Sequence, residues 1–224
     1  MNPKNNDVVE LMLTTMNQDN AVYDTNDIEV AKKNNIFDER IRYEPFVIPL
    51  GKNRIVKKLE EEVLKANENE EKTIEVENPF GERKAELVRV MSMNEFRSQD
   101  INPFPGMPIE IEGLKGKVQS VSGGRVRVDF NHDLAGQNVK YTFKILKIGS
   151  TPADKAGMLV KAYLKQFGET TQKIEGEKLI VEANKKVAKT IDYQTQKIRL
   201  IGDTLAIVPE VKEVEFKETY GVQN

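Results

Sequence analysis

The chain has 224 residues with 34 basic and 36 acidic side chains, a net charge of −2, and 38% apolar against 31% charged residues. This mixed balance suits a soluble globular chain of one to three domains and offers no single-sign field to nucleic acid or an anionic membrane. With no cysteine and one histidine, disulfides, thiol nucleophiles and multi-histidine zinc centres are excluded, so neither cofactor nor metal is expected. No stretch approaches the ~20 apolar residues of a membrane span, and the polar start "MNPKNN" predicts no secretory signal. A cytoplasmic protein is the simplest expectation.

Val8 to Thr15, "VVELMLTT", reads as a strand, and "NQDNAV" as a turn where Asn and Asp tolerate a left-handed backbone. Pro49, Gly51 and Asn53 break the chain ahead of "RIVKKLEEEVLK". There Ile55, Leu59 and Val63 recur at four-residue spacing with Val56 beside them, the stripe of a helix of about three turns. Its "KKLEEE" run predicts a solvated face with pairs such as Lys57–Glu61 and Lys58–Glu62. "KTIEVE" alternates as a strand, and "NPFGER" is a turn.

"LVRVMSMNEF" predicts a strand and then a helical turn, and "NPFPGMPIEIEG" puts Met107, Ile109 and Ile111 on one strand face. "GKVQSV" and "RVRVDF" flank "SGG" as a hairpin. Val139, Tyr141, Phe143 and Ile145 then alternate with polar residues in another strand. Up to Ile148 the chain therefore reads as mostly β with one short helix. Thr151, Pro152 and Asp154 predict a helix start. That helix buries Ala156, Leu159, Val160, Tyr163, Leu164 and Phe167, and Gly168 stops it. Two strands, "TTQKIEG" and "KLIVEAN", follow. A second helix, roughly 195–208, carries Ile198, Ile201, Leu205 and Val208 before Pro209, and "VKEVEFKETY" alternates as a last strand. An α+β segment of about 75 residues is marginal alone, so it is expected to pack on the rest or on a second copy.

Three segments in order, "AVYDTND" (21–27), "PFVIPLGKNRIVKKLEE" (45–61) and "NPFGER" (78–83), resemble an FKBP-type peptidyl-prolyl isomerase. A fourth, "VDFNHDLAGQNVKYTFKI", is similar to the signature of SlyD-like and long archaeal members. The resemblance implies an antiparallel β half-barrel with one short helix over 1–88 and 132–148. It also implies an insert-in-flap chaperone domain over 89–131 and a small α+β C-terminal domain over 149–224. The barrier to X–Pro rotation, ~20 kcal/mol, comes from partial double-bond character. An apolar pocket that disfavours the planar, charge-separated amide lowers it without a nucleophile. The resemblance assigns that pocket to Tyr23, Asp24, Phe46, Ile55, Val56, Leu59, Phe80 and Tyr141. Asp24 is then its carboxylate, the Val56 N–H grips the substrate and Leu59 forms the floor.

The pattern is departed from at Leu13, where most members have tyrosine, and at Lys58, where they have glycine. Both put catalytic strength in doubt. Asn20 and Asn69 replace turn glycines, which asparagine tolerates second best. Read from residues alone, Asp24 fits an exposed turn carboxylate, the four pocket aromatics an ordinary core, and Ile55, Val56 and Leu59 a buried helix face.

Met91, Met93, Phe96, Phe104, Met107, Ile109 and Ile111 cluster in the insert. They form its small core or, with Leu114 and Val118, an adaptable apolar groove for unfolded chains. His132 has no second histidine or cysteine to share a metal, and prolyl rotation moves no proton; it reads as a turn residue. The partners expected are unfolded or extended polypeptides containing proline, with a homodimer through the C-terminal domain as one arrangement. The function expected is isomerase and chaperone together. A holdase with a weak or inactive pocket is the alternative.

Overall fold

The computed structural model describes residues 2–183 and 190–218. They fall into two compact units: residues 1–16, 21–74 and 140–224 form one, and residues 17–20 and 75–139 the other. No described helix is long and apolar enough to cross a membrane.

The first unit is built on β1 (Val8–Met16). One edge of β1 pairs antiparallel with β9 (Val139–Gly149) from Val8↔Gly149 to Met16↔Lys140, with a bulge at Glu10/Leu11. Two short strands share the other edge. β3 (Phe46–Pro49) takes Val8 to Leu11, and β2 (Val22–Thr25) takes Thr14 to Met16. The buried side chain of Asn26 fills the gap between them. Its Oδ1 accepts from the Leu13 N–H at 2.7 Å and its Nδ2 donates to the Leu11 carbonyl at 2.8 Å, while its own N–H donates to the Leu13 carbonyl at 3.2 Å. A side-chain amide thus continues the ladder where no strand does. β4 (Glu71–Val76) lies on the far side of β9.

Besides the expected helix, this half-barrel carries α1 (Ile28–Lys33), which the single-helix expectation omits. Asp27 starts it, its carboxylate accepting from the Glu29 and Val30 N–H groups at 2.8 and 3.3 Å. α2 runs only from Lys57 to Val63, so Ile55 and Val56 precede it and Val56 is its N-cap. Leu59 and Val63 are buried as the stripe requires. The solvated-face expectation fails at Glu60, which is 6% exposed and accepts from the Gly51 N–H at 2.9 Å, tying the preceding loop to the helix. Asn20 and Asn69 have φ of 60° and 64°, the left-handed turns expected of them.

The C-terminal segment begins with α4 (Pro152–Leu164), capped by Thr151, whose hydroxyl accepts from the Asp154 N–H at 3.2 Å. β10 (Thr170–Glu175) and β11 (Lys178–Ala183) form an antiparallel pair. α5 (Ile191–Ile207) precedes β12 (Glu213–Glu218), which lies parallel to β11, as a helical crossover permits. The expected strand ends Asn184 and Thr219–Tyr220 lie outside the described residues. α5 begins four residues before its expected start and turns a different face inward. Tyr193, Leu200 and Ile207 are buried, whereas Ile198 and Leu205 are exposed. The core of this segment recruits Val8 of β1, and Val47 of β3 packs against it. Asp7 adds polar ties: its carboxylate takes the Lys4 N–H at 2.8 Å, the Ser150 hydroxyl at 3.2 Å and Lys155 Nζ at 3.3 Å.

The second unit carries a four-stranded sheet in the order β5 (Val88–Ser92), β8 (Arg125–Asp129), β7 (Leu114–Ser122), β6 (Pro108–Ile111). α3 (Met93–Arg97) follows β5 through a capping box of Ser92 and Glu95. The β7–β8 turn at Gly123–Gly124 has φ of 56° and 73°, the left-handed pair of a two-residue hairpin. Phe96, Val118, Val126, Val128 and Phe130 form its core.

Replacing Asn26 by Ala strands the Leu13 N–H and the Leu11 carbonyl at a buried site, at about 1–3 kcal/mol for each unsatisfied group. Urea unfolding of Asn26→Ala is expected to show that loss, with Asn26→Asp, which keeps only the acceptor, falling between it and the parent.

Candidate active site

Register decides which side chains share a face of the half-barrel. Asp24 of β2 lies opposite Thr15, and Thr15 opposite Tyr141 of β9, so the three form one cross-strand row. Leu13 and Phe143 form the next row, and Phe46, Leu11 and Ile145 the one after. Asp24 and Phe46 thus stand on the same face, on the two short strands that flank Leu13. Phe46 and the neighbouring Tyr23 are each 44% exposed, Ile55 and Val56 are half-buried, and Leu59 and Tyr141 are buried. Among the described residues the buried Tyr141 hydroxyl has no hydrogen-bond partner, and burial pushes its pKa up. It therefore stays protonated and able to donate.

A cavity of 360 Å³ opens here, lined by Leu13, Phe46, Ile48, Arg54, Ile55 and, from α4, Tyr163. Among the described residues β3 pairs only with β1, and the cavity runs round its open edge. It brings together Phe46 and Ile55 of the expected set, with Leu13; the other expected residues do not line it. Lys58 points away from it toward Glu61 and Glu62, at 3.8 and 3.9 Å, so this departure alters the helix surface.

Periodicity marked Tyr163 only as part of a buried helix face, and nothing in the sequence marked Asp203. The Tyr163 hydroxyl donates to one oxygen of Asp203, and Arg54 Nη2 donates to the other at 2.5 Å. Burial and the Asp203 carboxylate push the Tyr163 hydroxyl up to about 12, so it stays protonated and donating.

Phe80 belongs to the second unit, where its ring stacks on His132 with centroids 3.8 Å apart. The His132 Nδ1 accepts from the Leu134 N–H at 3.1 Å, which closes the NHDLAG turn. "NPFGER" and "VDFNHDLAG" are in fact one local structure. Arg83 pairs with Asp129, Asn131 bridges Lys84 on both backbone groups, and the Gly136 N–H donates to the Gly81 carbonyl at 2.8 Å.

Of the insert residues singled out, Phe96 and Val118 are 3% and 1% exposed and belong to the core, so the groove expectation fails for Val118. Met91, Met93, Met107, Ile109 and Ile111 are partly buried against that core. Phe104 is 59% exposed, as are Val90 at 58% and Leu114 at 41%. Val90 had no periodic signal to mark it.

Besides Arg54, the cavity is lined by apolar and aromatic side chains, and among the described residues no Ser, Thr, Cys or His lines it. A family model described as FKBP-type peptidyl-prolyl cis-trans isomerase matches residues 1–94, and one described as FKBP26, IF domain, matches residues 89–134. A short-type peptidyl-prolyl cis-trans isomerase of Methanocaldococcus jannaschii is 35% identical over 129 residues, 57% of this chain and 82% of the relative. The FKBP-type peptidyl-prolyl cis-trans isomerase SlyD of Helicobacter pylori is 29% identical over 118 residues, 50% of this chain and 63% of the relative. The chain belongs to the FKBP-type peptidyl-prolyl cis-trans isomerases, enzymes that rotate X–Pro bonds.

Burial works to raise the Asp129 pKa, but hydrogen bonds from Asn131 and Arg83 outweigh it and hold the carboxyl below its usual value. The stability this confers is present above the unfolded carboxyl's ~3.9 and is lost as pH falls through the lower folded value. Acid titration of the parent followed by tryptophan-free near-UV dichroism is expected to show that limb, and Asp129→Asn to flatten it while lowering stability at neutral pH.

Proposed function

We propose that this isomerase is also a chaperone: the insert captures extended apolar segments weakly, and the half-barrel pocket isomerises their X–Pro bonds at raised local concentration. The observation that carries the chaperone half is the exposure of Phe104, Val90 and Leu114 around a small core. Partly buried Met91, Met93, Met107, Ile109 and Ile111 extend that surface, and Phe96 supports it from beneath. Phe46 and Ile55 line the cavity, and Tyr23, Leu59 and Tyr141 of the same unit add to the apolar surroundings that favour the twisted amide. Asp24 is the carboxylate near the twisting peptide. The N–H of Val56, as an N-cap outside the helical ladder, grips the substrate chain. A chain without cysteine suits the cytoplasm, where we place it.

Leu13 in the cavity favours a second reading, in which turnover is weak and capture dominates. One pair of assays separates the two. Phe104→Ser with Leu114→Ser is expected to cut catalysis of a proline-limited refolding reaction by at least about tenfold, yet leave short-peptide turnover within about twofold. Tyr23→Ala with Asp24→Ala is expected to abolish both. Refolding help that survives the pocket variant supports the second reading. Refolding untouched by the insert variant sinks the chaperone role.

We further infer that a second copy docks on α5. Ile191, Ile198 and Leu205, seven residues apart, form a stripe 85%, 70% and 43% exposed. Sedimentation is expected to give a dimer that Ile198→Glu converts to a monomer; a monomeric parent would refute the arrangement.

A further inference from the structure

We propose that Tyr163 is a specificity-determining residue for the prolyl reaction: it walls the cavity from the C-terminal side and takes the apolar side chain that precedes the proline. This rests on the reading that the pocket of Phe46 and Ile55 holds the X–Pro segment. On its half-barrel side the cavity is lined by Leu13, Phe46, Ile48 and Ile55 with Arg54, and among the described residues Tyr163 is the one aromatic that the C-terminal segment adds to it. At 360 Å³ it lies at the small end of ligand sites, which span ~300–1,000 Å³, so it suits one or two residues.

The ring is fixed. Its hydroxyl donates to Asp203, which is 7% exposed, and Asp203 in turn holds Arg54. Arg54 immediately precedes Ile55 and Val56, so the same bracket anchors the loop that presents the substrate-gripping N–H. A tyrosine therefore does line the cavity with Leu13, where the family's tyrosine is missing, but its hydroxyl is committed to Asp203 and it offers substrate only its ring. A ring held in place can discriminate by size, because it loses no rotamer freedom when substrate arrives.

The test uses the full chain and a peptide series that differs only in the residue before proline: Ala, Leu or Phe. Turnover is measured without protease, and binding by calorimetry. Tyr163→Ala is expected to lower kcat/KM about tenfold for Leu–Pro and Phe–Pro, mainly through KM, with the smallest loss for Ala–Pro. Tyr163→Phe keeps the ring and is expected to restore the size preference, although the Asp203 bond is lost. Equal losses across the series, or Tyr163→Phe behaving like Tyr163→Ala, overturn the proposal in favour of a purely structural residue. Should Tyr163→Ala not fold, Tyr163→Leu is read in the same way. If no peptide is turned over even by the parent, the pocket's catalytic reading fails by itself. A size preference in binding that Tyr163→Ala removes still supports the wall, and binding without any size preference refutes it.

Discussion

The half-barrel depends on the division of one strand edge. β9 runs along the whole of one side of β1 with a single bulge, but two strands from different parts of the chain must share the other. They cannot meet, because each ends where the chain leaves for a loop. The Asn26 amide closes the break by accepting and donating in place of a backbone unit. The candidate site follows from this break. Asp24 and Phe46 end up on the same face at either side of Leu13 because β2 and β3 stop short of one another.

The second unit is organised by a different device. Asp129 sits at the end of β8 with Arg83, Gln119 and Asn131 on its oxygens. A single buried carboxylate so joins the turn that enters the insert to the turn that leaves it. This is why "NPFGER" and "NHDLAG" occur together: each supplies half of one hydrogen-bonded knot. The histidine between them serves packing, with Phe80 against one face and its Nδ1 on the Leu134 N–H.

Features set by neighbours in sequence were legible. Thr151 and Pro152 start a helix, Gly123–Gly124 make a hairpin, and Asn20 and Asn69 adopt positive φ, because each depends on a few adjacent residues. The family was legible from its segments in order. What could not be read depends on partners far along the chain. Arg54 and Asp203 are 149 residues apart, and neither is unusual where it stands. Glu60 looks like its neighbours in "KKLEEE" until Gly51 turns back to meet it. The face of α5 was ambiguous for a different reason. Ile191, Ile198 and Leu205 recur every seven residues, but so do Tyr193, Leu200 and Ile207, and only the sheet beneath decides which set is covered.

Val8 belongs to the core of the C-terminal segment although it lies on the first strand of the half-barrel. β1 is covered on both faces there, with Val9 and Leu11 buried on one side and Val8 on the other. A chain cut after Gly149 would therefore carry a raw hydrophobic wound, in Val8 and Val47, beside the free edge of β3. Such a truncated chain would need those positions recoded as polar before it could live as a separate protein. The boundary between catalyst and appendage thus runs through the middle of a strand and follows its two faces rather than a position along the sequence.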